Sequence, residues 1–191
     1  MLKCFGPIWL MSGPLYAVEY YAGNPTLHPI TAPAMSTQAV SARKKHLLDA
    51  FSQADYVAIL VSGPLSLQVG KKNPALDAAI DNRSWAILTA CNPGAHRLGD
   101  RYNRHRHRQL LDELARKALD SWPAINRDPA GGWPDEPSAL IAGITLDQLD
   151  RLADRFGQAA ALCGLPGDRA RLRLYGPGWP SSLPEWAECA F

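Results

Sequence analysis

The fold is decided by the stretch WAILTACNPGAHRLGDRYNRHRHR, residues 85–108. Its first six residues are nearly all apolar and predict a strand that is buried on both faces. Asn92-Pro93-Gly94 predicts a turn, because proline and glycine interrupt regular structure. Asp100 then predicts the N-cap of a helix that runs to about Leu119. The apolar residues expected to face the core from this helix are Leu110, Leu111, Leu114, Ala115 and Ala118.

Strand and helix patterns alternate through the remaining sequence. Apolar residues at helical spacing predict helices over 36–53 and 75–82. Thr145-Leu-Asp-Gln148 is a capping box and predicts another helix start, with Gly157 placed to end that helix. Period-two or continuous apolar patterns predict strands over 56–61, 65–70, 85–90, 122–127, 138–144, 159–163 and 169–175.

From Trp85 onward this order reads β-α-β-β-α-β. It predicts an α+β fold with a ferredoxin-like layer, in which both helices cover one face of a mixed sheet. The helix at 36–53 and the hairpin at 56–70 are additions on the N-terminal side of this layer. A less regular α/β sandwich is the alternative.

The length of 191 residues suits one domain with extensions. We expect a single α+β domain over 35–175 and a tail rich in proline, glycine and tryptophan over 176–191. Residues 1–34 differ in character and predict an irregular leader. They could be a secretory signal or an upstream extension ahead of Met35, although Gly6 and Pro7 interrupt the apolar block that a signal needs.

Composition excludes several classes of protein. The net charge of +2 is too small to indicate a polyanionic partner. The four cysteines form no C-x-x-C pair, so reduced thiols in the cytoplasm are expected rather than a zinc ribbon or a disulfide framework. No run of about 18 apolar residues predicts a membrane span. No cofactor motif is present, and the oligomeric state is left open.

Polar residues around the Asn-Pro-Gly turn predict a ligand site. A strand that ends there and returns through a helix N-terminus exposes backbone N–H groups and the positive end of the helix dipole. Asn103 and His107 continue the core-facing stripe of the helix. A solvated basic first turn is the competing interpretation. The candidates are Asn92, Gly94, Asn103, Arg104 and Arg108 for ligand binding and His107 as a general base.

Three further polar residues adjoin buried strands. Glu136 enters an apolar strand, where a carboxylate must be paired or functional, and it is the candidate catalytic acid or base. Ser138 and Gln158 start strands where a side chain can face a pocket, and loop capping is the alternative for each. We expect the strands at 85–90 and 138–144 to run parallel, which would separate Asn92 from Glu136 by about 15 Å.

Metal and thiol chemistry have weaker support. His105 and His107 are two positions apart and lie on different helix faces, and no cysteine or carboxylate has ligand spacing, so no metal site is predicted. Cys91 precedes Asn92 beside arginines, where a thiol could act as a nucleophile. A structural role is the alternative for this cysteine.

Several of these motifs, in order, resemble an uncharacterised bacterial family, domain of unknown function 3293. The resemblance spans roughly residues 50–175 and implies a small cytoplasmic domain without an established activity. The family pattern does not call for cysteine at position 91, which weakens the nucleophile interpretation. The matching residues are Val69-Gly70, Asn73, Leu76, Ile87–Gly94, Asn103, Leu110, Leu114, Glu136-Pro137-Ser138 and Phe156–Ala159.

Three functions are consistent with these residues. The first is a module that binds a small anionic or nucleotide-like ligand at the corner between strand and basic helix. The second is an enzyme acting on a nucleotide or nucleic acid, with Glu136 as acid or base and arginines stabilising phosphate charge. The third is a nucleic-acid binder that uses residues 97–108. The enzyme requires Glu136 or His107 to share a cleft with Asn92.

Overall fold

The computed structural model describes residues 16–21, 24–29 and 37–190. The chain divides into two compact units, Met1–Ala39 and Val40–Phe191. In the first unit, β1 (Tyr16–Tyr21) and β2 (Asn24–Pro29) form an antiparallel hairpin. The rest of the leader predicted for residues 1–34 lies outside the described residues.

The second unit follows the predicted order of helices and strands closely. No helix in the described part of the chain is long and apolar enough to span a membrane. The elements are α1 (Thr37–Gln53, beginning in the first unit), β3 (Asp55–Leu60), β4 (Gly63–Leu67), α2 (Pro74–Ala79), β5 (Trp85–Thr89), α3 (Asp100–Arg116), β6 (Ser121–Arg127), β7 (Glu136–Ala142), α4 (Leu146–Arg155), β8 (Ala160–Gly164), β9 (Arg171–Leu174) and β10 (Ala187–Cys189).

Eight strands form one curled sheet in the order β10-β9-β8-β5-β7-β6-β3-β4. Neighbouring strands are antiparallel except β9 and β10, which pair in parallel. With four helices and this sheet among the described residues, the α+β class is confirmed. The hairpin β3–β4 extends the sheet beyond β6, and β10 brings part of the tail into it.

The expected parallel pairing of the two central strands is wrong. Trp85 lies opposite Ala142 and Thr89 opposite Ser138, so β5 and β7 are antiparallel. The cause is the interleaving of two β-α-β units: α3 returns the chain to β6, and β7 lies between β5 and β6. The end of β5 and the start of β7 therefore lie at the same edge of the sheet, and the expected separation of Asn92 from Glu136 disappears.

The two faces of the sheet carry separate cores. One face packs Ile87, Leu140 and Leu162 against Leu48 of α1. The other face packs against both α3 and α4, as expected, through fully buried leucines such as Leu110. Burial of each such leucine stabilises the fold by about 1.5–3 kcal/mol.

The predicted helix ends are confirmed for α4, whereas the predicted N-cap of α3 is wrong. The Thr145 capping box forms with both of its reciprocal hydrogen bonds to Gln148, and Gly157 follows α4 with a φ of 59°. The N-cap of α3 is Gly99 rather than the expected Asp100, and no side chain caps this helix. Leu111 is 39% exposed and lies outside the core stripe.

Candidate functional site

The corner after β5 depends on left-handed backbone. Asn92 has a φ of 47°, and Gly94 and Ala95 follow with φ values of 61° and 57° across a short 3₁₀ turn. Asparagine tolerates this region better than other non-glycine residues because its short polar side chain bonds locally. The chain therefore leaves the sheet sharply, and Asn92 stays buried with only 4% of its surface exposed.

Asn92 and Asn103 bind each other through their amides. The Asn92 N–H donates to Asn103 Oδ1 at 3.0 Å, and Asn103 Nδ2 donates to Asn92 Oδ1 at 2.9 Å. Asn92 Oδ1 also accepts from the Leu98 N–H at 2.7 Å, and Asn103 Nδ2 reaches Leu98 O at 3.2 Å. This reciprocal pair fixes the first turn of α3 against the end of β5.

The remaining polar atom of Asn92 connects the corner to Glu136. Asn92 Nδ2 donates to Glu136 Oε1 at 2.5 Å, and Trp133 Nε1 donates to the same oxygen at 2.7 Å. Two donors to one carboxylate oxygen fix its position. An enzyme would require Glu136 to lie within a few ångström of Asn92, and these two side chains are hydrogen-bonded.

The loop before β7 is built to hold Trp133 in place. Asp128 accepts the Ala130 N–H at 2.9 Å and the Trp133 N–H at 3.0 Å, one on each carboxylate oxygen. An aspartate that caps its own loop in this way restricts the backbone. The Trp133 indole is thereby held over the start of β7, beside Glu136.

The residues that follow α4 also hold the corner after β5 in place. Gly94 N–H donates to Gly157 O at 2.7 Å, and a Cβ on Gly157 would lie 3.1 Å from Pro93 Cβ. The buried Gln158 donates from Nε2 to Cys91 O at 3.0 Å and to Phe156 O at 3.1 Å. Gln158 thus has the structural role of satisfying buried carbonyls as well as a position at the site.

Cys91 and Ser138 are buried within the same framework. The Ser138 hydroxyl donates to the Glu136 carbonyl at 3.2 Å, so it supports the start of β7. Burial raises the pKa of the Cys91 thiol, despite a hydrogen bond with Thr89 that lowers it. A thiol that is harder to ionise is a poorer nucleophile, and the geometry favours the structural interpretation of Cys91.

A cleft of about 680 Å³ opens between α1, the sheet and the 128–133 loop. Asn92, Glu136 and Gln158 all line it, so three predicted site residues share one cavity. At its rim, α1 contributes the half-buried Arg43 and the exposed His46 and Asp49. The cleft is also lined by Tyr56, Thr89, Asn126 and Trp133.

Helix α3 lies on the opposite face of the sheet, and its basic residues do not line the cleft. Arg104 and Arg108 are exposed. His107 has a buried Nδ1 without a hydrogen-bond partner among the described residues, and burial lowers its pKa. Among the arginines of α3, Arg106 contacts the end of β5: its Nε donates to Ala90 O at 2.6 Å. Arg106 lies four residues before Leu110, a helical spacing that could have identified it.

Helix α1 forms one side of the cleft, which the sequence patterns did not indicate. Arg43 Nη2 reaches the carbonyls of Gly94 and Ala95 at 3.4 Å each and His96 Nε2 at 3.2 Å. Asn126, on β6, has a buried Oδ1 with no partner among the described residues. Both look like ordinary solvent-facing residues in the sequence, and only strand pairing and helix packing bring them to the site.

The described residues contain no group of three or more His, Cys, Asp or Glu side chains placed to hold a metal ion. The polar groups that line the cleft include side-chain amides, the carboxylates of Asp49, Asp128 and Glu136, and the guanidinium groups of Arg43 and Arg127. This set suits hydrogen bonding to an organic ligand.

Comparison with protein families gives a match over part of the chain. Neither the curated proteins nor the solved structures include a significant match to this chain. The matched segment runs from β5 into β8 and contains Asn92, Asn103, Glu136 and Gln158, whereas α1 lies outside it. Over residues 88–161 the chain matches the model of a family described as "Protein of unknown function (DUF3293)", and over these residues the resemblance expected from the sequence is confirmed.

Proposed function

We propose that this protein binds a small nucleotide-like ligand in the cleft beside Asn92 and Glu136. The observation that carries the proposal is the 2.5 Å hydrogen bond between these two side chains at the lining of a 680 Å³ cavity. A cavity of this size accommodates a metabolite, and fixed polar groups in a largely apolar lining are typical of small-molecule sites.

The charges around the cleft support a ligand with two different ends. Glu136 lies at the sheet, and Arg43 lies where α1 meets the Asn-Pro-Gly corner. An acidic group on the ligand would contact Arg43, and a polar ring edge would contact Glu136. Asp49 and Asp128 offset the arginines, so the lining disfavours a bare polyanion.

The test is calorimetric titration with nucleosides and their 5′-monophosphates. We expect the monophosphate to bind more tightly than its nucleoside, and Arg43→Gln to remove that difference. Lys45→Gln, on the same helix but outside the cleft, is the matched control and should leave the difference intact. Absence of binding by every nucleotide would refute the proposal, as would binding that Arg43→Gln and Glu136→Gln both leave unchanged.

An enzyme with Glu136 as acid or base is the second candidate. It is favoured by the Glu136 carboxylate, which lines the cleft and is held by Asn92 and Trp133. His107 is not part of this candidate, because it does not line the cleft. Mass spectrometry of a bound nucleotide after incubation distinguishes the two functions. A binding module leaves the nucleotide unchanged, whereas the enzyme alters it and Glu136→Gln abolishes the change.

A nucleic-acid partner would contact a different surface. Arg97, Arg101, Arg104 and Arg108 are exposed around the start of α3, and this observation supports the third candidate. Its test is the salt dependence of oligonucleotide binding, since each phosphate contact steepens the slope by about one. Binding that is insensitive to salt, or to Arg104→Gln with Arg108→Gln, would exclude it.

We also propose a fold type for the sheet and a cellular location for the protein. The interleaved order β8-β5-β7-β6 supports a ferredoxin-like description of the four central strands. The free thiols of Cys91, Cys163 and Cys189 support a reducing compartment such as the cytoplasm. Cell fractionation followed by detection of the protein tests the location.

A further inference from the structure

The floor of the cleft offers a ligand more free hydrogen-bond acceptors than free donors. Asn92 Nδ2 and Trp133 Nε1 both donate to Glu136 Oε1. The Thr89 hydroxyl donates to Pro137 O at 2.9 Å, and the Tyr56 hydroxyl donates to Phe51 O at 2.9 Å. These donors of the floor are therefore committed to the protein itself.

Two acceptors are left without a partner among the described residues. Asn126 Oδ1 is buried and accepts no hydrogen bond. Glu136 receives both of its hydrogen bonds on Oε1, so Oε2 is unused. Leaving the buried Asn126 Oδ1 without a partner is costly, and such an atom calls for an explanation. A ligand that supplies N–H donors would satisfy both.

The sheet places these two acceptors side by side. Asn126 and Glu136 are direct cross-strand partners in the β6–β7 pair, and Tyr56 is the next partner across β3. Directly opposed residues project to the same face with Cβ atoms about 4.5–5.5 Å apart. This spacing suits a flat ring edge that carries two neighbouring N–H donors.

We propose that the cleft recognises a planar nitrogen heterocycle through an edge with two adjacent N–H donors, as guanine has, read by Glu136 and Asn126. The proposal rests on the proposed function and specifies the class of base that enters the floor. The ring N–H would bind Glu136 Oε2, and the adjacent exocyclic amino group would bind Asn126 Oδ1. Trp133 stands beside the ring, and Arg43 receives the acidic group at the rim.

The experiment compares guanosine, inosine and adenosine 5′-monophosphates by calorimetry. Inosine lacks the exocyclic amino group of guanosine, and adenosine presents an acceptor where guanosine has its ring N–H. We expect each to bind about tenfold or more weakly than guanosine 5′-monophosphate, as the loss of one hydrogen bond to a buried acceptor or a charged group predicts. Asn126→Ala should reduce the guanosine-to-inosine affinity ratio towards one, because Asn126 binds the amino group that inosine lacks. Glu136→Gln should reduce the guanosine-to-adenosine affinity ratio, because Glu136 binds the ring N–H that adenosine replaces by an acceptor. Asn73→Ala and Glu185→Gln, outside the cleft, should preserve both ratios.

The possible results separate the two proposals. Equal affinity for the three nucleotides would overturn the donor-edge inference and leave nucleotide binding standing. If no nucleotide binds, the proposed function is refuted, and the ring alone is then tested as 2-aminopyrimidin-4-one against pyrimidin-4-one. Preference for the amino compound that Asn126→Ala removes would uphold the inference, and binding of neither ring would overturn it.

Discussion

Replacement of Asn92 by alanine should destabilise the protein severely. The change removes three side-chain hydrogen bonds, to Leu98 N, Asn103 Nδ2 and Glu136 Oε1. At about 0.5–1.5 kcal/mol each, their loss costs about 1.5–4.5 kcal/mol. The left-handed φ of 47° adds about 1 kcal/mol for alanine. We expect a total loss of about 2.5–5.5 kcal/mol in the free energy of unfolding.

Urea unfolding followed by circular dichroism measures this loss. Asn92→Gly should cost about 1 kcal/mol less than Asn92→Ala, because glycine accepts the left-handed backbone. Asn73→Ala is the matched control, since its side chain makes one long hydrogen bond to Lys71 O at 3.4 Å, and it should change stability by less than about 1 kcal/mol. A loss below about 1 kcal/mol for Asn92→Ala would refute the structural role given to this residue.

A double-mutant cycle isolates the pair of amides. The Asn103 Nδ2 group donates to Asn92 Oδ1, so Asn92→Ala and Asn103→Ala should be non-additive by about 0.5–3 kcal/mol. Additive losses would show that the two side chains act independently, contrary to the geometry.

Three further predictions concern other parts of the domain. Gly157→Ala should lower the free energy of unfolding in urea by about 1–2 kcal/mol more than Gly167→Ala. Both glycines have a left-handed φ, but only a Cβ on Gly157 would contact Pro93. Equal losses of stability would exclude a steric effect at Gly157. The Arg173 hydrogen bonds hold the pKa of Asp150 below its usual range, so this carboxylate stabilises the fold above the pKa of the unfolded chain and loses that effect as pH falls through its lowered pKa. Asp150→Asn should therefore cost stability at pH 7 and much less near pH 2, and a loss independent of pH would contradict this. Cys91 should resist alkylation in the native state and react after unfolding, as peptide mapping by mass spectrometry would show, and rapid native labelling would contradict its burial.

The order of elements was predictable because local signals agree with the tertiary structure. The Thr145 capping box and the apolar run of β5 depend on short-range chemistry, and both form as expected. Strand direction was not predictable from these signals. An apolar strand such as β5 packs equally well beside a parallel or an antiparallel neighbour, and only the interleaving of the two β-α-β units determines the pairing.

The candidate site was partly predictable for a similar reason. Asn92, Glu136 and Gln158 adjoin buried strands, where a polar side chain needs a partner, and the structure brings all three to one cleft. Arg43 and Asn126 carried no such signal, since each lies on an element with an exposed face. Their contribution appears only in the folded protein, where residues of α1 and β6 line the same cleft.

The most direct test of nucleotide binding in the cleft is a ¹H–¹⁵N spectrum of the protein titrated with guanosine 5′-monophosphate. We predict that the Trp133 indole N–H and the Asn126 and Asn92 side-chain amides shift with one saturating curve, because they line the cleft beside Glu136. Signals from the exposed arginines of α3 should stay unchanged. Shifts confined to α3, with the Trp133 indole signal unchanged at saturation, would contradict nucleotide binding in the cleft.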